Sequence, residues 1–403
     1  MVPLEVPVVD QVFRGVRRPD GSTMSLAVAE GRIAQWLDAS APVPPEADAI
    51  ECNGGLAVPA PVDAHIHPDK TTWGQPWLSR RPAADLRALI ANDVGAQQGF
   101  TASVADRATA LMRHAVTQGT RAMRAHVDVA PVYGLRNLHG VVEAAHRLSG
   151  LLDVQIVAFP QLGLLSEPGT LDLLDAALAE GASIVGGLDP IGIDGDLEGH
   201  LSAVFDLAER RGCGIDAHLH DDGEPGLSEL LAIAERTRAL GMQGRVTVSH
   251  AFALATATPA RRAVVADRLA ESGVALTTCA LGGDPVLPVG ELRRAGVSVA
   301  AGSDGVRDAW TPFGTGSMID RAHLLAYRLD AATDDELSDC YSVCSEAGAD
   351  LMGLASTQLE VGDHADFVIV QSPTIPELVV DHPQPSLVVR GGRLVAAEGE
   401  SLA

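Results

Sequence analysis

Between about residue 57 and residue 355, short apolar runs, polar loops and amphipathic stretches follow one another in a repeating order. Eight of the runs read as strands: LAVPAPVDAHIH, RAMRAHVDV, DVQIVAFPQ, ASIVGGLDP, CGIDAHLHDD, RVTVSHAFAL, VALTTCAL and VSVAAGSD. Each is rich in Val, Ala and Ile and nearly continuous in apolarity, the pattern of a parallel strand covered on both faces. Helical stretches such as LDLLDAALAEG, LSAVFDLAERRG and LSELLAIAERTRALG separate them and end at Gly, as helices commonly do. Strand–helix alternation with short connections predicts a parallel α/β architecture, and eight units predict a closed (β/α)8 TIM barrel over residues 57–355.

The ends of the chain are patterned differently. Residues 1–56 hold VPVVDQVF, MSLAVAEGRIAQWL and ADAIECNGG, and residues 356–403 hold QLEVGDHADFVIVQ and PSLVVRGGRLV, short runs broken by Pro, Gly and Asp. Neither segment is long enough for a core of its own. Together they predict one small β-sandwich domain, built from both termini around the barrel.

Composition narrows the functional classes. An apolar fraction of 46% with 20% charged residues suits a folded globular chain of 403 residues. Fifty-three acidic against 29 basic residues, a net charge of −24, argue against nucleic acid and against an anionic membrane surface, both of which need a basic footprint. No run approaches the ~18 apolar residues of a spanning helix. The N-terminus lacks a basic segment followed by an apolar one. The five cysteines show no CxxC pair and read as reduced thiols, so a cytoplasmic location is expected. Among the 29 basic residues only Lys70 is Lys. Its survival suggests a task for a compact or deprotonatable charge that a guanidinium cannot perform.

Six of the 13 histidines, His65, His67, His126, His218, His220 and His250, fall at the C-terminal ends of predicted strands, the rim where barrel enzymes hold their chemistry. His114, His146, His200 and His323 fall on helices and read as solvated. His65 and His67 are two apart on a strand and so face the same way. With His218 after strand 5 and Asp304 after strand 8, three imidazoles and a carboxylate would hold one divalent metal, Zn first and Fe as the alternative, with a position left for water.

The stretches VDAHIHPDKTTWGQPW, RAHVDV, AFPQLGLL, DAHLHDD, TVSHAFAL and AGSDGVRDAWTPFGTGSM resemble the amidohydrolase superfamily. Within it they are similar to the cytosine deaminase-like group, which includes the N-isopropylammelide isopropylaminohydrolases. The resemblance implies that His65, His67, His218 and Asp304 bind the metal, that Asp304 also takes a proton from water, and that His250 stabilises developing charge. Relatives that deaminate aromatic bases carry H-x-x-E after strand 5; here Asp221 stands at the Glu register and His220 is a second inward His, so either could carry the proton. Lys70, His220 and Asp189 match the isopropylammelide-type arrangement, in which Lys70 would meet a carbonyl or ring nitrogen. Gln161, Asp189, Trp310 and His126 are the implied substrate contacts. Gly305 stands where cytosine deaminases have a second Asp, which weakens cytosine as the substrate. A binuclear site bridged by a carboxylated Lys after strand 4 is excluded, because strand 4 ends in GGLDP.

The implied activity is a metal-dependent aminohydrolase, using water activated by the metal. It would act on a non-peptide C–N bond of a small nitrogen heterocycle, a pyrimidine, triazine or related cyclic amidine, in a homo-oligomer. Two alternatives stay open: a ring-opening cyclic amide hydrolase with the same metal centre, and a non-catalytic metal-binding scaffold.

Overall fold

The computed structural model describes residues 9–402. Eight parallel strands, Val62–Ile66 (β1), Ala122–Asp128 (β2), Asp153–Phe159 (β3), Ile184–Leu188 (β4), Gly214–Leu219 (β5), Val246–His250 (β6), Ala275–Thr278 (β7) and Val299–Ala301 (β8), are neighbours in sequence order, with helices between most of them. The sheet closes on itself where β8 runs out beside β1. The Asp304 N–H donates to the His65 carbonyl at 2.7 Å and the His67 N–H to the Asp304 carbonyl at 3.3 Å. The seam of the barrel therefore brings His65, His67 and Asp304 together. Gly302 makes this closure possible, since a Cβ there would lie 2.5 Å from both Cβ and the carbonyl oxygen of His65.

Seven of the eight predicted runs each contribute one barrel strand. The first, LAVPAPVDAHIH, divides in two. Leu56–Pro59 pairs antiparallel with Phe367–Val370 in the terminal sheet, and only Val62–Ile66 enters the barrel. Pro59 and Pro61 lack the N–H that a continuous ladder requires, so the chain changes sheets between them. The run RVTVSHAFAL is shorter than its apolarity suggests. His250 and Ala251 take φ of +70° and +47°, which turns the chain out of the strand and into a short helix, Phe252–Thr256.

Both ends of the chain build the second sheet, which has nine strands among the described residues. It is antiparallel except where Gln11–Arg17 runs parallel to Asp48–Glu51 and meets Leu56. Its core holds Phe13, Leu26, Ile33, Phe367 and Val389, all buried, and Phe13 meets Phe367 edge-on at 5.0 Å, joining the two termini. Residues 6–8 of the run VPVVDQVF lie outside the described residues. Arg390 anchors the sheet to the barrel through Asp153 at 2.7 Å and the Leu151 carbonyl at 3.1 Å. No helix among the described residues is long and apolar enough to cross a membrane.

Candidate metal centre and active site

At the C-terminal mouth of the barrel the imidazoles converge. His67 Nε2 lies 3.3 Å from His218 Nε2 and 3.3 Å from Asp304 Oδ1, and His65 Nε2 lies 3.7 Å from the same oxygen. His250 Nε2 is 4.0 Å from Asp304 Oδ2. Burial pushes His65, His67, His218 and His250 well below the usual histidine range, leaving neutral rings with lone pairs to give. Asp304 and His250 both adopt positive φ, +58° and +70°, conformations that non-glycine residues hold only when their surroundings enforce them.

These donors fit a divalent metal. The Nε2 atoms of His65 and His250 are buried and take no hydrogen bond. The tautomer of His65 follows from its neighbours. Arg124 pairs with Asp216 at 2.8 Å, the Ser249 hydroxyl donates to Asp216 at 2.8 Å, and so the hydroxyl oxygen accepts from His65 Nδ1–H at 2.9 Å. The Nε2 lone pair of His65 is thus fixed toward the cluster, as a hydrogen bond to the other ring nitrogen does for metal-bound histidines. His65, His67 and Asp304 form one group able to share an ion, and His65, His126 and His218 form another. A further grouping of His250 and Asp304 with Cys279 is chemically poorer, because burial pushes the Cys279 thiol well up and away from the thiolate.

His126, a candidate substrate contact from the sequence, stands elsewhere. It is fully buried behind His65, with ring centroids 3.9 Å apart, and neither ring nitrogen has a hydrogen-bond partner. It is not in the pocket wall; it backs the cradle.

In front of the cradle opens a cavity of about 410 Å³. Lys70 and Gln161 form part of its wall, as the sequence suggests. Lys70 is 2% exposed, 3.1 Å from Asp128 Oδ1, and donates to Gln161 Oε1. Burial acts to lower its pKa, but Asp128, Asp93 and Asp69 outweigh it and raise the value above the ordinary lysine range. Of the two tasks suggested by its survival, the compact permanent charge is the one the surroundings support.

His220 also lines the cavity. Its backbone N–H and Nδ1 are held by Asp189 Oδ1 and Oδ2 at 2.5 and 2.8 Å. Burial works against protonation of His220, yet the Asp189 carboxylate raises its pKa overall. Asp189 is itself fully buried with φ +35° and does not reach the cavity; it orients His220 instead of touching substrate. Asp221 is likewise turned away. Its Oδ2 accepts from the Gly192 N–H at 2.6 Å, and it is hydrogen-bonded to Glu229. Trp310 lines the cavity, with the Lys70 ammonium 5.4 Å from its ring centroid.

Several residues of the site escape sequence reasoning. Asp63 and Asp216 lie two positions before His65 and His218, and the same i, i+2 rule would have found them. Asp63 holds the Ser303 N–H at 2.9 Å and Asp216 holds Ser249. Asp308, Phe252 and Leu281 line the cavity from loops or a short helix, where no periodicity marks them. His200, expected to be solvated, is buried, with Nδ1 2.7 Å from Asp194.

Comparison with known proteins shows what the chain is similar to. The amidohydrolase family matches residues 85–396. The chain is 32% identical over 359 residues to the N-isopropylammelide isopropyl amidohydrolase of Pseudomonas sp. (strain ADP), covering 87% of this chain and 88% of that protein. The crystal structure of N-isopropylammelide isopropylaminohydrolase from Burkholderia multivorans superposes with a TM-score of 0.94 at 39% identity, covering 98% of this chain and all of that one. The 5-methylcytosine deaminase of Klebsiella pneumoniae superposes with a TM-score of 0.85 at 26% identity, covering 98% and 99%.

Proposed function

The chain belongs to the amidohydrolase family, and from that premise we propose that it is a metal-dependent aminohydrolase whose substrates are N-alkylamino or amino derivatives of oxygenated triazines or pyrimidines. The observation that carries this reading is the conjunction of a cradle of neutral imidazoles and one carboxylate with a cavity that presents a permanent cation, Lys70, and a carboxylate-held histidine, His220. His65, His67, His218 and Asp304 would hold the ion, with His126 behind them. A divalent ion there supplies Lewis acidity, which in well-known sites brings water's pKa to about 7.

The chain's own residues divide the remaining work. The Asp304 carboxylate, facing the cavity, accepts the proton of the attacking water. Lys70 and the Gln161 amide grip a ring carbonyl and orient the carbon that bears the amine. His250 faces the developing charge. His220, kept protonated by Asp189, gives a proton to the departing nitrogen, a role for which Asp221 is turned the wrong way. Zinc as the resident ion, a cytoplasmic location and a homo-oligomeric state are the finer parts of this proposal. So is a division of the chain into a catalytic barrel and a β-domain made of residues 1–56 with 356–403, the crossover lying at Pro59–Pro61.

A screen for released ammonia and amines over aminotriazines, aminopyrimidines and cyclic amidines, with N-isopropylammelide included, tests the reading. Release of isopropylamine or ammonia with the ring intact is the expected result. Ring opening without such release would favour the cyclic amide hydrolase.

A further inference from the structure

Asp308 lines the cavity beside the residues assigned to metal, water and leaving group. It is 1% exposed, and its Oδ1 is spent on the backbone N–H groups of Trp310 and Thr311, at 2.8 and 2.9 Å. Its Oδ2 takes no hydrogen bond among the described residues. The side chain lies directly over Gly305: a Cβ at that position would meet Asp308 Oδ2 at 2.3 Å, so the absence of a side chain at 305 is what lets this carboxyl lie there. Burial of the carboxyl penalises its charge and pushes Asp308 up to about 7.

The same cavity also offers donors. Lys70 spends two of its three N–H groups on Asp128 and Gln161. Because Gln161 Oε1 accepts from Lys70, its amide NH2 is left over, and it has no partner among the described residues. The Trp310 indole N–H is also buried without a partner. The site therefore combines unspent donors with an unspent acceptor at Asp308, complementary to a ring edge on which a carbonyl adjoins an N–H.

We propose that Asp308 is a substrate-binding residue that accepts a ring N–H, so that the site selects heterocycles in the lactam form, with –NH–CO– edges, over rings whose nitrogens carry no hydrogen. This rests on the function proposed above and narrows its substrate class. An N–H donated to a carboxylate is worth about 10- to 100-fold in binding.

The test is calorimetric binding of uracil and of 1,3-dimethyluracil, which lacks both N–H groups, to the metal-loaded protein at about pH 8. The unaltered protein binds uracil about tenfold or more tightly than the dimethyl compound. Asp308→Asn keeps the oxygen that anchors Trp310 and Thr311 but puts an NH2 where the free oxygen was, and it abolishes the preference without lowering the melting temperature or changing the metal content. The double variant Gly305→Asp with Asp308→Ser places a carboxyl on the backbone over which the Asp308 side chain lies and recovers part of the preference. A preference that survives Asp308→Asn, or is absent from the unaltered protein, overturns the proposal. The amine-release screen is read separately. Asp308-dependent binding without any amine release would count against the proposed reaction alone, and amine release with Asp308-independent binding would count against this residue alone.

Discussion

The ammonium of Lys70 is enclosed by Asp128, Gln161 and the rings of Phe159 and Trp310, the last two with centroids 5.6 and 5.4 Å away. A guanidinium is wider, planar and forked, and cannot fill a space shaped for three short donors. Lys70→Arg is expected to lower kcat/KM by about 100-fold or more with metal content unchanged, as loss of a positioned donor does elsewhere; turnover near that of the parent would make Lys70 a chance survivor. Glu229 supports a prediction about pH. It is fully buried, and its value is pushed up to about 9, mainly by burial and then by the nearby Asp221 carboxylate, against the Ile191 N–H that it accepts at 2.8 Å. An acid whose folded pKa exceeds its unfolded value keeps its proton only in the folded chain between those two values. Its burial therefore costs stability increasingly as pH rises from 4.5 toward about 9. Glu229→Gln is expected to melt above the parent by a margin that widens from about pH 5 to about pH 9 and vanishes below about pH 4.5. A margin that does not change with pH would contradict this. At this scale the sequence was informative where strand periodicity carried the signal: His65 and His67 share a face because they are two apart. It was silent or misleading where a loop set the direction. Asp221 holds the register expected of a proton carrier, but hydrogen bonds to Gly192 and Glu229 turn it away, and Asp189 reaches His220 rather than the cavity.

Strands and their ends carry the positioning. β1 and β8 meet at the seam, and three of the four proposed ligands, His65, His67 and Asp304, sit on either side of it. Closure depends on Gly302, where any Cβ would collide with His65 backbone and side chain. Gly302→Ala is expected to cost about 1–3 kcal/mol through overpacking and to lower metal occupancy, because His65 must move when β8 is pushed away. Thermal melting and metal analysis check both, and a variant that melts and loads like the parent would place the ligands' rigidity elsewhere. Apolar runs announce these strands because both faces are covered, one by the barrel interior and one by helices. They do not announce where a strand changes sheet. The break within residues 56–67 is set by two prolines spaced so that neither sheet's ladder can continue, and the end of β6 is set by backbone at positive φ in His250 and Ala251, which residue type alone does not reveal.

The whole molecule places a sheet built from both termini beside a barrel whose first strand follows it after two residues. Phe13 against Phe367 and Arg390 against Asp153 hold the ends to each other and to the barrel. The net charge of −24 leaves Lys70, enclosed in the cavity wall, as a cationic group in a predominantly acidic molecule, suited to a small neutral or amine-bearing ring and not to a polyanion. That the ends would join was legible because neither could bury a core alone; how their strands pair was not, since short runs rich in Gly and Asp fit several registers. The central claim is that one divalent ion sits among His65, His67, His218 and Asp304. Native mass spectrometry of the purified chain, alone and after exposure to Zn²⁺, measures it directly when paired with His218→Ala. One ion per chain in the parent and none held by the variant is the expected result. No ion after reconstitution, two ions per chain, or full retention by His218→Ala would contradict it.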